Sequence, residues 1–299
     1  MERAVRRPRR RRARAGAAGP VAWRGGLQLP GTRRLLQLPP QKPDIVHAHN
    51  LHGDYFDLRA LPWLSEQTPV VLTLHDAWLL SGHCAHAFAC TRWETGCGQC
   101  PDLTIPPAIA RDATAFNWRR KRRVYARSRL YVATPSRWLM DRVARSMLAP
   151  AIAEARVIPN GVDLTVFAPA DRRAARAALG LPPDDTTLLF MAQPENPWKD
   201  HATLRAALPR IAERLRGAAV RFVALGMDAP AEQIGAAALT YAPFTRDPAT
   251  LARYYQAADV YMHATKADTF PVPCWRRSRA ARRSWRRQWA APRSRSRKA

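Results

Sequence analysis

Residues Leu130–Leu148 read LYVATPSRWLMDRVARSML. The first five residues make a short, largely apolar strand candidate. Ser136 then suits an N-cap, and Ser136–Leu148 carries apolar residues at helical spacing. The same strand-then-helix unit recurs in both directions along the chain. Strand-like runs lie at Asp44–His47, Val70–His75, Arg156–Pro159, Leu188–Ala192, Arg221–Gly226, Leu239–Ala242 and Val260–Ala264. Helix candidates are Ile109–Arg127, Ala170–Leu179, His201–Leu215, with Asp200 as N-cap, and Pro248–Ala257. Runs so uniformly apolar suit strands covered on both faces, as in a parallel sheet. The class expected is α/β, with doubly wound, Rossmann-like sheets. Turn residues at Pro159–Asp163 separate two such series, so two sheets are expected.

The net charge of +26 over 299 residues first suggests a polyanion binder. Its distribution argues otherwise. Residues 1–40 hold eleven arginines and one acid, and residues 275–299 hold ten arginines, Lys298 and no acid. Residues 41–274 therefore carry only about +5, ordinary for a folded domain, and no specific nucleic-acid partner is expected. No apolar run reaches the ~18 residues of a membrane span, and the basic N-terminus lacks the apolar stretch of a secretory signal. A cytoplasmic protein is expected, with peripheral contact at the inner, anionic face of a membrane left open. Residues 1–40 show no sustained period and read as a disordered basic extension.

Several strings resemble one known family. VIPNGVDLTVFAP (Val157–Pro169), KPDIVHAHN (Lys42–Asn50), VVLTLHDAW (Val70–Trp78), NPWKD (Asn196–Asp200) and YYQAADVYMHATKADTFP (Tyr254–Pro271) are similar, in register over about residues 41–274, to retaining glycosyltransferases of family 4, also called glycosyl transferases group 1. The resemblance implies the two-domain GT-B fold, both halves being incomplete here. Residues 41–163 would form the acceptor-side domain and 164–274 the nucleotide-sugar domain. It implies transfer of a hexose from a nucleotide-diphosphate sugar to a glycan or lipid-linked acceptor, with retention. No catalytic metal or other cofactor is implied, because side chains and a helix N-terminus neutralise the leaving diphosphate.

Site residues follow from the matched strings. Lys199 matches a diphosphate-binding lysine, Asn160 and Gly161 fall on the donor side, and Asp268 matches the first acid of a paired-acid motif. His75 matches a histidine near the transferred sugar, with His49, Gly53 and Asp76 on the acceptor side. Plain readings stand beside these: a solvated lysine, a loop-capping aspartate, a structural histidine. Two departures weaken the match. Gln193 stands where the family often has arginine, and Asp268 is one methylene shorter than the usual glutamate.

GHCAHAFACTRWETGCGQCP (Gly82–Pro101) interrupts the first half, as an insertion over residues 83–101. Cys84, Cys90, Cys97 and Cys100 could enclose a structural zinc, with His83 and His86 as spare ligands, or form a reduced thiol knuckle. His47, His49 and His52 lack a compact third ligand and rank lower as a metal site.

After Pro273 the chain leaves the family pattern. CWRRSRAARRSWRRQWAA, from Cys274, can be written in codons that, read one base earlier, give VLEALACGTPVVATAVGG, the family's continuation. Residues 275–299 thus read as an out-of-frame basic tail that places Arg276 where the second acid would stand, and the N-terminus reads as truncated. A guanidinium cannot accept ribose hydroxyls. Impaired activity is expected, and both basic ends are expected to pack poorly. The competing reading is an inactive remnant whose ends bind nucleic acid or anionic membrane nonspecifically.

Overall fold

The computed structural model describes residues 29–53 and 55–280. Among them nine strands form two sheets. The first has the order β1 (Val46–His49), β2 (Val70–Thr73), β3 (Leu130–Thr134), β4 (Ile152–Val157), all parallel. The second has the order β7 (Glu232–Ile234), β8 (Ala237–Ala242), β6 (Val220–Leu225), β5 (Thr186–Met191), β9 (Val260–Met262), parallel except for β7.

The second sheet shows why its strands are apolar throughout. Leu188 and Phe190 of β5 face one core with Phe222, Ala224 and Leu239, covered by Leu204, Leu208 and Ala212 of α6 (His201–Arg214). Their alternates Leu189, Val223 and Leu225 face the opposite core, with Ala252 and Tyr255 of α7 (Pro248–Ala257). A strand with helices on both sides has no polar face to alternate with. In the first sheet Val70, Leu72, Leu130 and Val132 are buried beside Leu61 and Leu64 of α1 (Leu61–Gln67), Trp118 and Tyr125 of α3 (Thr114–Tyr125), and Leu139 and Val143 of α4 (Arg137–Ala144). Between α1 and α3 in the chain lies the short α2 (Arg92–Thr95), whose Trp93 is buried.

Several boundaries differ from expectation. β4 begins at Ile152 and not at Arg156, because it is an edge strand exposed over most of its length, where IAEARV needs no apolar run. α3 starts at Thr114 rather than Ile109, with the Asp112 carboxylate accepting from the Thr114 amide at 3.0 Å. Ser136 caps α4 as expected, accepting from the Leu139 amide. Asp200 stands at the N-cap of α6 with φ 49°, yet makes no capping bond and lies 3.2 Å from Lys266. α5 spans Arg172–Ala178.

Both basic ends need correction where the structure describes them. Pro30–Gln37 is a 3-10 turn: Thr32 is buried and accepts from the Asp57 amide at 3.0 Å, and Leu35 and Leu36 pack on the first core. The expected disorder therefore fails over Pro30–Gln37, where Leu35 and Leu36 give a short apolar face and Thr32 a buried hydrogen bond. At the other end Val272–Ala280 is a helix, α8, packed on α7. Arg277 donates to the Tyr255, Ala258 and Asp259 carbonyls at 2.9, 3.1 and 2.8 Å, and Arg276 stacks over Phe167. A guanidinium fork matches the open carbonyls that end α7, which like-charge density alone does not foretell. The expectations for residues 1–28 and 281–299 lie outside the described residues. No helix among the described residues is long and apolar enough to cross a membrane.

Candidate active site

The register of the first sheet builds one half of the site. His49, the last residue of β1, is level with Thr73 of β2, so the segments leaving both strands emerge side by side. His49 Nδ1 lies 2.9 Å from His75 Nε2, with the rings stacked at 5.2 Å. Burial, then the neighbouring His47 and His75, hold the His49 imidazole below its ordinary pKa. Two residues earlier His47 Nε2 meets Thr73 Oγ1 at 2.8 Å.

Asp76 anchors the next turn. Its Oδ1 accepts from the Trp78 amide at 2.8 Å, and its Oδ2 lies 2.7 Å from His52 Nε2. Gly53 follows at φ +107°, a conformation that a side chain would strain, and turns the loop that carries His52. Tyr55 closes it by donating to the His49 and Asn50 carbonyls. His49, His75, His52, Asp76 and Gly53 thus share one strand-end cluster, at the edge of a parallel sheet where ligands bind.

The second sheet supplies the other half. Asn196 caps the turn Pro197–Lys199, its Oδ1 accepting from the Trp198 amide at 3.1 Å, and this turn runs into the N-terminus of α6. The Lys266 amide donates to the Trp198 carbonyl at 2.9 Å, so the segment after β9 docks on the same turn. The result is an ion pair, Lys199 Nζ to Asp268 Oδ2 at 2.8 Å, with Asp268 Oδ1 accepting from the Phe270 amide. Lys199 lines a cavity of about 130 Å³ with Met191, Gln193, Tyr261, His263 and Thr265. Burial lowers the His263 pKa, against Asp268, which raises it; burial raises that of Tyr261.

The two halves touch. Thr269 Oγ1 donates to the His75 carbonyl at 2.6 Å, one residue from Asp268. Trp198, beside Lys199, packs on the first core and meets Phe88 edge-on at 5.8 Å and His86 at 6.3 Å. His75, Lys199 and Asp268 are therefore brought together. Asn160 and Gly161 lie in the connection after β4, and no hydrogen bond among the described residues joins them to Lys199 or Asp268. His263, Thr269 and Trp198 were not singled out from the sequence. His263 had a signal, its place just beyond a strand's C-terminal end, whereas Thr269 and Trp198 act through contacts between the sheets.

The cysteine-rich segment sits beside this meeting point. Cys84, Cys90, Cys97, Cys100 and His83 line one cavity of about 20 Å³, and all four thiols are free. Burial pushes the Cys97 thiol up to about 11 and also raises Cys84 and Cys100. As placed, no three His, Cys, Asp or Glu side chains among the described residues meet in metal-binding geometry.

Two Rossmann-like sheets meeting at such strand ends define a GT-B glycosyltransferase fold. The family model described as Glycosyltransferase Family 4 matches residues 2–166, more than half of the chain and well ahead of residue 41, where the resemblance was placed. The chain belongs to glycosyltransferase family 4. It is 30% identical over 137 residues to the putative colanic acid biosynthesis glycosyl transferase WcaC of Escherichia coli (strain K12), covering 42% of this chain and 33% of that protein. It is 33% identical over 125 residues to a D-inositol 3-phosphate glycosyltransferase of Segniliparus rotundus, covering 38% of this chain and 27% of that protein. The chain thus spans about a third of the length of these relatives. In fold it is similar to a UDP-forming α,α-trehalose-phosphate synthase from Burkholderia xenovorans in complex with glucose-6-phosphate, with TM-score 0.51, 12% identity, and coverage of 83% of this chain and 58% of that one.

Proposed function

We propose that this chain binds a nucleotide-diphosphate sugar against its second sheet and transfers the hexose toward an acceptor at the first. The acceptor is a glycan or a lipid-linked acceptor. The observation that carries the reading is the Lys199–Asp268 pair on the rim of the 130 Å³ cavity, one residue from the Thr269 bond to His75. A lysine just ahead of a helix N-terminus offers a mobile charge and free amides to a diphosphate. Asp268 supplies acceptors for sugar hydroxyls, and His75 lies where the reacting carbon would face the acceptor. Attack on the same face, guided by the leaving phosphate, fits retention.

The reading includes a slow enzyme. α8, which follows the pair, carries no carboxylate, and its Arg276 is engaged on Phe167. Ribose hydroxyls therefore gain no acceptor from it. The test is calorimetric titration of UDP- and GDP-sugars into this chain and into a version with the reading frame restored after Pro273, followed by transfer assays. Donor binding by both, with faster transfer by the restored version, is the expected result. Absence of donor binding by either would overturn the assignment.

A further inference from the structure

Four thiols and one histidine face a single cavity that the glycosyl-transfer reading does not use. Cys97 Sγ accepts from the Gly82 amide at 3.3 Å, and Cys100 Sγ lies 3.3 Å from His83 Nε2. The Gly82 N–H aimed at Cys97 Sγ favours that thiolate over the thiol, because it stabilises the charged form. His83 is buried, and its Nδ1 donates to the Pro107 carbonyl at 3.3 Å, which turns its Nε2 lone pair toward the Cys100 thiol. The Asp112 carboxylate accepts from the Cys100 amide at 2.7 Å and so fixes the backbone of the C-x-x-C knuckle.

The charges around the cavity give an independent indication. Lys121 is 3% exposed, and no described carboxylate stands within ion-pair distance of it. Its Nζ donates to the Trp78 and Ser81 carbonyls at 2.5 and 3.0 Å and lies 3.4 Å from the centre of the Trp78 ring. Burial lowers the Lys121 pKa to about 7, while Cys84 and Cys97, ahead of Asp76, act in the opposite direction. A buried ammonium without a carboxylate calls for another anion. Arg92 lines the cavity as well, with its guanidinium on the Gly98 and Gln99 carbonyls. Four thiolates around a divalent ion carry a net charge of −2; Arg92 lines their cavity, and Lys121 is held on the Trp78 and Ser81 carbonyls of the segment that leads into Cys84.

We propose that Cys84, Cys90, Cys97 and Cys100 bind one zinc ion in a tetrahedral all-thiolate site, with Lys121 and Arg92 offsetting its charge. Each thiol releases its proton to solvent as its sulfur takes the ion, and no oxidation is involved. The cavity of about 20 Å³ has the size of a single small occupant. Side-chain rotations that bring four lining sulfurs to Zn–S distances of about 2.3 Å complete the site. The ion clamps both ends of the segment that carries His86 and Phe88 onto Trp198, beside Lys199.

The test uses the full chain, purified without chelator, and needs no glycosyl acceptor or donor. Elemental analysis is expected to give about one zinc per chain, and replacement by cobalt the visible spectrum of a tetrahedral thiolate complex. Cys90→Ser and Cys97→Ser should lose the metal, whereas Cys274→Ser keeps it. Because the first two variants can misfold, the wild-type chain carries its own check: a chelator should release the zinc and expose four newly reactive thiols. Lys121→Met should weaken zinc affinity by roughly ten- to a hundredfold. Metal-free protein with four reactive thiols, or with two disulfides among these residues, overturns the proposal. Unchanged affinity in Lys121→Met overturns the role given to that lysine.

Discussion

Replacing Lys199 with alanine isolates the donor grip. In the structure its ammonium is held by Asp268 at 2.8 Å, with the two side chains 30% and 16% exposed, so the pair is partly screened by water. In the proposed reading a bound diphosphate takes over that ammonium. Losing one hydrogen bond to a charged group costs about 1.5–3 kcal/mol, which corresponds to a donor Kd weaker by roughly ten- to a hundredfold. Asp268→Asn separates the two charges. It keeps the side chain's size, frees the ammonium, and should leave UDP or GDP binding equal or tighter while sugar-bearing donors bind more weakly. Calorimetry with UDP, GDP, their sugars and the bare nucleosides reads all of this. Lys199→Ala should hardly alter nucleoside binding, since no diphosphate is present. If the nucleosides lose as much as the diphosphates, Lys199 supports the pocket's shape and contacts no phosphate. A change below twofold throughout would remove it from the site.

Three further outcomes follow from particular contacts. His49 should titrate by NMR with a midpoint below 6.5, and His47→Gln should raise that midpoint; since the folded pKa is the lower one, the unfolded chain binds the extra proton and stability falls as pH drops below 6.5. Arg277→Ala should cost about 2 kcal/mol in urea unfolding by opening three carbonyls at the end of α7, while the exposed Arg279→Ala stays within about 0.5 kcal/mol. Phe190→Ala should cost about 3–5 kcal/mol by the same measurement, because the ring is fully buried between β6 and β9 neighbours and α6.

Much of the architecture was legible because burial on both faces leaves a local signature. LLFM and RFVAL contain almost no polar residue, and Leu188–Phe190 and Phe222–Leu225 show why: successive positions alternate between the core under α6 and the core under α7. Strand β4 was misplaced by four residues for the opposite reason, since an exposed edge imposes no pattern on Ile152–Val157. The β7 edge strand, Glu232–Ile234, went unread on the same ground. Helix α7 lies where expected, at Pro248–Ala257, and its start carries a cap the sequence reading did not name, the Asp247 carboxylate accepting from the Ala249 and Thr250 amides.

The site divides along the same line between local and long-range information. His49, His75 and Lys199 announce themselves by position, at strand ends and ahead of a helix, where a parallel sheet presents its ligands. Thr269 and Trp198 carry no such mark. Their roles exist only because two separately wound sheets meet, and a hydroxyl 194 positions away from His75 in the chain closes on its carbonyl. The arginines after Pro273 show the limit from the other side. Their composition suggested a tail with nothing to pack against, but Arg277 finds the open carbonyls at the end of α7 and Arg276 finds the face of Phe167. Docking a helix there needs only a fork of donors and a short stem, whatever sequence supplies them. Completing a donor site needs a carboxylate at one fixed place, and a guanidinium cannot stand in for it. This helix can therefore pack on α7 and still, in the proposed reading, leave the donor site around Lys199 and Asp268 one acceptor short.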